Sequence, residues 1–82
     1  MTYERFYYRN FLIQKCYDKH LQNTYYTVYN ESYVHVHCKT LETAKYLIDS
    51  ALRLREGYFI DGSKKFRNKV LRLAFTGNFK KN

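Results

Sequence analysis

Residues 41–55 carry the clearest pattern in this sequence, an apolar stripe with helical spacing. Leucine, isoleucine and alanine recur at intervals of three and four residues from Leu41 to Leu52, which predicts an amphipathic helix. Thr40 offers a hydroxyl N-cap, and Gly57 is the residue type that most often ends a helix. We expect this helix to bury its stripe on a sheet formed by the residues before it.

Those preceding residues alternate as β-strands do. Three runs rich in aromatic and β-branched residues, FLIQKCYDKH, TYYTVY and YVHVHC, are separated by LQN and NES. They predict a three-stranded antiparallel meander. A three-residue loop over residues 30–32 would pair Val28 with Val34 and Tyr26 with Val36, whereas a two-residue loop would exchange the partners.

The alternation gives this sheet two chemically different faces. The apolar face, which would receive the helix, holds Tyr26, Val28, Val34, Val36 and Cys38. The other face holds Tyr25, Thr27, Tyr29, Tyr33, His35 and His37, joined by Lys15, Tyr17 and Lys19 if the first strand follows the same parity. Aromatic rings stack on bases and lysines meet phosphates, so the second face is a candidate nucleic-acid surface. The alternative is that the N-terminal segment or a second helix covers it and its tyrosines are core.

The C-terminal stretch GSKKFRNKVLRLAFTGNFKK contains seven cations and no acid, and most of the net charge of +8 belongs to it. Its apolar stripe predicts a second amphipathic helix over residues 63–76, capped by Ser63 and followed by a basic tail at 78–82. Gly77 is expected to end this helix.

Two lysines in the first turn of this second helix lie where the helix dipole is already positive. Lys64 and Lys65 are unfavourable there unless an anion is bound, and a phosphate would be shared by both ammonium groups and the backbone N–H groups. Lys65, Lys69 and Arg72 share one flank of the helix. The alternative is that the lysines reach into water and Asp61 compensates them. We favour phosphate binding because the segment contains no acid over its whole length.

The predicted nucleic-acid-binding residues come from the C-terminal segment and from the sheet face. They are Lys64, Lys65, Arg67, Lys69, Arg72, Lys80, Lys81, Lys15, Lys19, Tyr25, Tyr29 and His35. DNA is favoured over RNA as the ligand.

Metal and catalytic sites are not predicted. Cys38 points to the opposite face from His35 and His37, and no C-x-x-C pair accompanies them. The histidines have no carboxylate or nucleophile motif beside them, so we expect no enzyme, with acid–base cleavage of RNA as the alternative. The chain has no Gly-rich phosphate loop, and no cofactor is expected.

A chain of 82 residues predicts one small domain over residues 1–82, with a β-β-β-α core at 9–57. The first ten residues fit either a short helix capped by Thr2 or an edge strand. No apolar run is long enough to span a membrane and the start lacks a signal-peptide core, so we expect a cytoplasmic protein with reduced cysteines and no membrane partner.

Residues 9–57 resemble the AP2-like DNA-binding domain of plant transcription factors, phage homing endonucleases and integrase arm-binding domains. Those domains tend to end the third strand with a pattern like F-D-T-x-E-E-A-A, and Thr40, Glu42 and Ala44 stand in comparable places in CKTLETAKY. The resemblance implies three strands followed by one helix. The family's strands usually carry Arg and Trp, whereas this chain has no Trp and offers lysine, tyrosine and histidine instead.

The combined prediction is an α+β domain with a three-stranded antiparallel sheet packed by one helix, followed by a second, basic C-terminal helix. Its predicted function is non-catalytic nucleic-acid binding, in a small phage or mobile-element regulator. The alternative is an interaction protein, such as a phage inhibitor of a host enzyme, that uses the tyrosine-rich face against a host protein. The oligomeric state is left open.

Overall fold

Four antiparallel strands and two helices make up the fold, seen in a computed structural model that describes residues 4–75. In chain order they are β1 (Glu4–Tyr8), β2 (Phe11–Asp18), β3 (Asn23–Tyr29), β4 (His35–Cys38), α1 (Leu41–Arg55) and α2 (Lys64–Phe75). The strands lie in sequence order in one sheet. The α+β class is confirmed, but the sheet has four strands and not three, because the first residues form the edge strand that was one of their two alternatives. Gly77 and the tail at 78–82 lie outside the described residues.

The β1–β2 hairpin is held against α1 by one carboxylate. Its two-residue turn places Arg9 and Asn10 at φ 52° and 72°, the left-handed pair of a type I′ turn. Asp49 of α1 accepts a hydrogen bond from the Tyr8 hydroxyl at 3.1 Å and one from the Arg9 guanidinium at 2.8 Å. The hydrogen bond to this carboxylate raises the pKa of Tyr8 above its usual value.

The β2–β3 turn is one residue longer than predicted, and this changes the face of β2. Asp18 pairs with Asn23, so the turn spans residues 19–22. The Asp18 carboxylate accepts hydrogen bonds from the N–H groups two and three residues later, at 2.9 and 3.2 Å, which closes the turn there. Lys15 therefore pairs with Tyr26. The predicted parity is wrong, since a one-residue difference moves Lys15 and Tyr17 to the apolar face.

The β3–β4 loop spans residues 30–34, two residues more than predicted. Val28 pairs with Val36, not with Val34. The Asn30 side-chain oxygen accepts hydrogen bonds from the N–H groups of Ser32 (2.8 Å) and Val34 (3.0 Å), which folds these residues into the loop. A shift of two residues preserves the side-chain period, so Val28 and Val36 still share the apolar face.

Both helices bury their stripes on this apolar face. The fully buried side chains include Phe11 and Ile13 of β2, Val28 of β3, Leu47 and Ile48 of α1, and Val70 and Leu73 of α2. Burial of large aliphatic and aromatic side chains is the main source of stability in a domain of this size. Because α1 and α2 share one core, neither helix covers the opposite face of the sheet.

The helix ends follow the sequence signals. Thr40 and Ser63 cap α1 and α2 by accepting hydrogen bonds from the N–H groups three residues later, both at 3.1 Å. At the end of α1, Gly57 adopts φ +97°, and the N–H groups of Gly57 and Tyr58 donate to Leu54 and Arg53 at 3.0 Å each. This is the Schellman arrangement that the glycine predicted.

The C-terminal end of α2 is tied to α1 and to the β3–β4 loop. Arg55 donates to the carbonyl oxygens of Ala74 (2.8 Å) and Leu73 (3.2 Å), and Asn30 donates to Leu73 at 3.1 Å. Arg55 also pairs with Glu31 at 2.9 Å. Burial would raise the pKa of Glu31, but the hydrogen bond from Arg55 lowers it below its usual value.

No helix within residues 4–75 has both the length and the apolar character needed to cross a lipid bilayer.

Candidate functional site

Two of the predicted phosphate-binding cations contact the protein's own backbone. Lys69 donates a hydrogen bond from Nζ to the His37 carbonyl at 2.9 Å, and Arg72 donates from its guanidinium to the His35 carbonyl at 3.3 Å. Both carbonyls belong to β4, which is an edge of the sheet. These cations therefore shield strand-edge groups that would otherwise invite pairing with another chain. An ammonium group has three N–H donors and a guanidinium group has five, so each cation has further donors besides the one used in this contact.

Lys64, Lys65 and Arg67 extend from the exposed side of α2. The first turn of this helix contains no acid, whereas the first turn of α1 contains Glu42. The two lysines therefore add their charge to the positive end of the helix dipole. Of the two described helix N-termini, that of α2 therefore carries the more positive first turn.

An open cleft of about 650 Å³ lies where the N-terminal parts of both helices meet the start of β3 and the end of β4. Three lysines line it: Lys39 from the β4–α1 connection, and Lys65 and Lys69 from α2. The Asp18 carboxylate also lines the cleft, but it accepts the two backbone hydrogen bonds of its own turn. Positive charge therefore exceeds negative charge around this opening.

The interior of the cleft is apolar and aromatic. Leu47, which is fully buried, and Phe66, which is half-buried, line it from the two helices. Phe66 stacks on Tyr46 with ring centroids 5.2 Å apart and planes 23° apart. Tyr25 and His37 line the cleft from the sheet, with ring centroids 5.4 Å apart in an edge-on arrangement. The cleft is thus lined by flat apolar side chains together with three lysines.

A row of aromatic side chains continues from the cleft across the face of the sheet that neither helix covers. His37 lies 5.3 Å from His35 between ring centroids, and His35 lies 5.4 Å from Tyr29. The Nδ1 atom of His37 and the Thr27 hydroxyl are 3.0 Å apart. Partial burial, together with the nearby His35 and Lys69, lowers the pKa of His37 below its usual value. This environment favours the neutral form of the ring.

The structure places the predicted residues in three groups. Lys65 and Lys69 meet at the cleft with Tyr25; Tyr29 and His35 lie on the sheet face that neither helix covers; and Lys64, Arg67 and Arg72 lie along α2. Lys15 lies on the opposite face, as its strand register requires, and Lys19 lies in the β2–β3 turn. Lys80 and Lys81 lie outside the described residues.

Lys39 and Phe66 are site residues that the sequence analysis did not assign. Lys39 is a single cation between a strand and a helix cap, and nothing local places it near α2. Phe66 was interpreted only as part of a helical core stripe. The available signal for Phe66 was its position three residues after the Ser63 cap, which puts it in the same turn as Lys64 and Lys65.

The two thiols are free, buried and on opposite faces of the sheet. Cys16 lies near the Thr27 hydroxyl at 3.9 Å, whereas Cys38 lies on the apolar face, where burial raises the pKa of its thiol. Within residues 4–75 no three histidine, cysteine or acidic side chains are grouped so as to hold a metal ion.

Comparisons of the chain with protein-family models, with curated proteins and with solved structures found no match. The interpretation of the site therefore depends on its own chemistry. Three lysines around an aromatic cleft suit a ligand that has both negative charge and flat apolar groups.

Proposed function

We propose that this protein binds nucleic acid without cleaving it, and that Lys39, Lys65 and Lys69 hold phosphates around the cleft. The observation that carries the proposal is that these three lysines, from two separate segments, line one cleft. The carboxylate in the same lining, that of Asp18, accepts hydrogen bonds from the backbone of the β2–β3 turn. Phosphate contacts by lysine and arginine supply most of the affinity of non-specific nucleic-acid binding.

The charge distribution over the rest of the described chain supports this proposal. Two of the arginines are paired with carboxylates, Arg9 with Asp49 and Arg55 with Glu31. By contrast, α2 has five cations and no acid between Lys64 and Phe75. The excess positive charge is therefore concentrated on one side of the fold, where a polyanion gains the most from it.

The resemblance to AP2-like domains belongs to the same proposal. Its support is the order β2-β3-β4-α1, which is the order that the resemblance implies for residues 9–57. The departures in strand composition favour phosphate contacts and stacking over the reading of a base sequence. A phage or mobile-element regulator that acts in the cytoplasm, on DNA rather than RNA, is the setting we propose.

The test is the salt dependence of binding, measured by fluorescence anisotropy on labelled random-sequence DNA and RNA. We compare the double variant Lys39→Gln, Lys65→Gln with the control Lys45→Gln, Arg53→Gln, which removes the same charge from α1. The plot of log K against log salt has a negative slope, and each lost phosphate contact makes it shallower by about 0.9 on duplex DNA. The cleft variant should therefore lose up to about 2 from the slope, and the control should keep the slope of the parent.

Equal losses in both variants would contradict a localised site and indicate attraction by net charge alone. No binding to any nucleic acid at low salt would refute the proposal and favour the alternative, a host-protein partner on the tyrosine-rich face. Electrophoresis of the RNA after incubation tests the non-catalytic part, since cleaved RNA would indicate acid–base chemistry.

A further inference from the structure

We propose that the cleft seats one unpaired nucleobase, so that the protein prefers single-stranded nucleic acid to duplex. This inference rests on the proposed function and names the form of nucleic acid that the site takes. Phosphate binding alone needs only cations on a surface. The structure adds apolar and aromatic side chains that line the same cleft as the cations, and their presence is what the inference explains.

The size of the cleft fits this role. Its volume of about 650 Å³ lies within the roughly 300–1,000 Å³ that is typical of small-molecule sites. A base in a duplex is stacked and paired, so it exposes only its edges in the grooves and cannot enter a cavity or stack on a side chain. Only a nucleotide that has left the stack can place its base inside the cleft while its phosphate stays at Lys39, Lys65 or Lys69.

Phe66 is held in position as a wall of the cleft. Tyr46 stacks on its ring, and Gly62 leaves room for it, because a Cβ at position 62 would lie 2.6 Å from Phe66 Cδ2. Aromatic side chains such as Phe66 and Tyr25 provide the flat surfaces on which unpaired bases stack. Polar groups at the same opening, including Asn23 and Thr43, can contact base edges.

The three lysines that line the cleft distinguish this occupant from an apolar peptide. A neutral apolar segment would fill the interior but would leave the ammonium groups without counter-charge. A nucleotide matches both parts, since its base suits the interior and its phosphates suit the lysines. DNA and RNA single strands share this chemistry, and the experiment includes both.

The decisive comparison uses two oligomers that have equal charge and differ only in their bases. The protein is titrated against a ten-residue oligothymidylate, an abasic oligomer of the same length, the corresponding oligouridylate and a duplex. The normal single strands should bind about 5- to 150-fold more tightly than the abasic one, which is the range for one stacked base. The salt slopes of the normal and abasic single strands should be equal, because their phosphates are the same.

A variant that fills the cleft tests whether the preference for the normal over the abasic strand arises there. Thr43 is exposed at the start of α1. Its backbone N–H, which the variant keeps, donates to the Thr40 cap. The substitution removes one exposed hydrogen bond, which the Thr43 hydroxyl accepts from the Thr40 hydroxyl at 2.9 Å. Thr43→Phe should therefore fold, and it should abolish the preference for the normal over the abasic strand while abasic binding persists. Thr24→Phe, at an exposed strand position outside the cleft, is the matched control and should keep the preference.

Equal affinity for normal and abasic strands, with the salt slope intact, would refute the inference and leave the proposed function standing. Preference for the duplex, or an unchanged base preference in Thr43→Phe, would also refute it. Absence of binding to all four ligands would refute both proposals.

Discussion

Asn30 is a buried polar residue whose loss should be costly to the fold. It is only 5% exposed, and both the nitrogen and the oxygen of its side-chain amide form hydrogen bonds. The amide nitrogen donates to the Leu73 carbonyl at 3.1 Å, while the oxygen accepts from Ser32 and Val34 at 2.8 and 3.0 Å. One side chain therefore joins the β3–β4 loop to the C-terminal end of α2.

The cost of Asn30→Ala follows from those three hydrogen bonds. Each contributes about 1 kcal/mol net, and a donor left buried without a partner costs about 1–3 kcal/mol. Two features limit the loss: Leu73 keeps its hydrogen bond from Arg55, and Ser32 is exposed to water. We expect a loss of about 2–4 kcal/mol in the free energy of unfolding. For a domain of this size that lowers Tm by roughly 10–25 °C.

Thermal and urea unfolding followed by circular dichroism measure this loss. Asn68→Ala is the matched control, because Asn68 is exposed on α2 and alanine favours helix there. The control should keep or slightly raise the free energy of unfolding. A loss below about 1 kcal/mol in Asn30→Ala, or an equal loss in both variants, would show that the Asn30 contacts do not hold α2 in place.

Two further predictions concern the strand that carries the histidines. Val36→Asp should unfold the domain, since Val36 is 5% exposed and an unpaired buried carboxylate costs at least several kcal/mol. His35→Ala should stay folded, and circular dichroism showing the reverse order would contradict the β4 register. The lowered pKa of His37 means that the folded state holds this proton less tightly than the unfolded state. Stability should therefore fall as the pH drops below about 6.5. His37→Gln should lose less Tm than the parent between pH 7.5 and 5.5, and equal losses would count against this assignment.

The elements were predictable from sequence because their signals are local. The apolar spacing of α1, its Thr40 cap and its Gly57 end all lie within the segment they describe. The faces of β3 and β4 were also predicted correctly although their loop is two residues longer than expected, because a two-residue error preserves the side-chain period. The same reasoning failed for Lys15, where a one-residue error in the turn reversed the face.

The site was less predictable because it depends on how α2 docks. The helix itself and its basic flank follow from local spacing. The contacts of Lys69 and Arg72 with β4, and the meeting of Lys39 with Lys65 at the cleft, follow only from the position of the helix in the fold. That position is set by burial of the apolar stripe of α2 in the shared core and by the hydrogen bonds that Asn30 and Arg55 donate to its C-terminal end. No local sequence pattern around Asn30 or Arg55 predicts that these residues hold the C-terminal end of α2.

The two helix starts differ in a charge that the proposed phosphate binding would explain. Both helices have a hydroxyl cap that accepts a hydrogen bond at 3.1 Å from the N–H group three residues later. At the second position after the cap, α1 has Glu42 and α2 has Lys65. An acid at such a position stabilises a helix by about 0.3–1 kcal/mol, and a lysine costs a similar amount. Since Arg55 and Asn30 hold α2 through its other end, the fold does not require a cation here. Under the proposed function, the position of Lys65 beside the cleft has a reason that helix stability does not supply, because a bound phosphate would turn its local cost into an attraction.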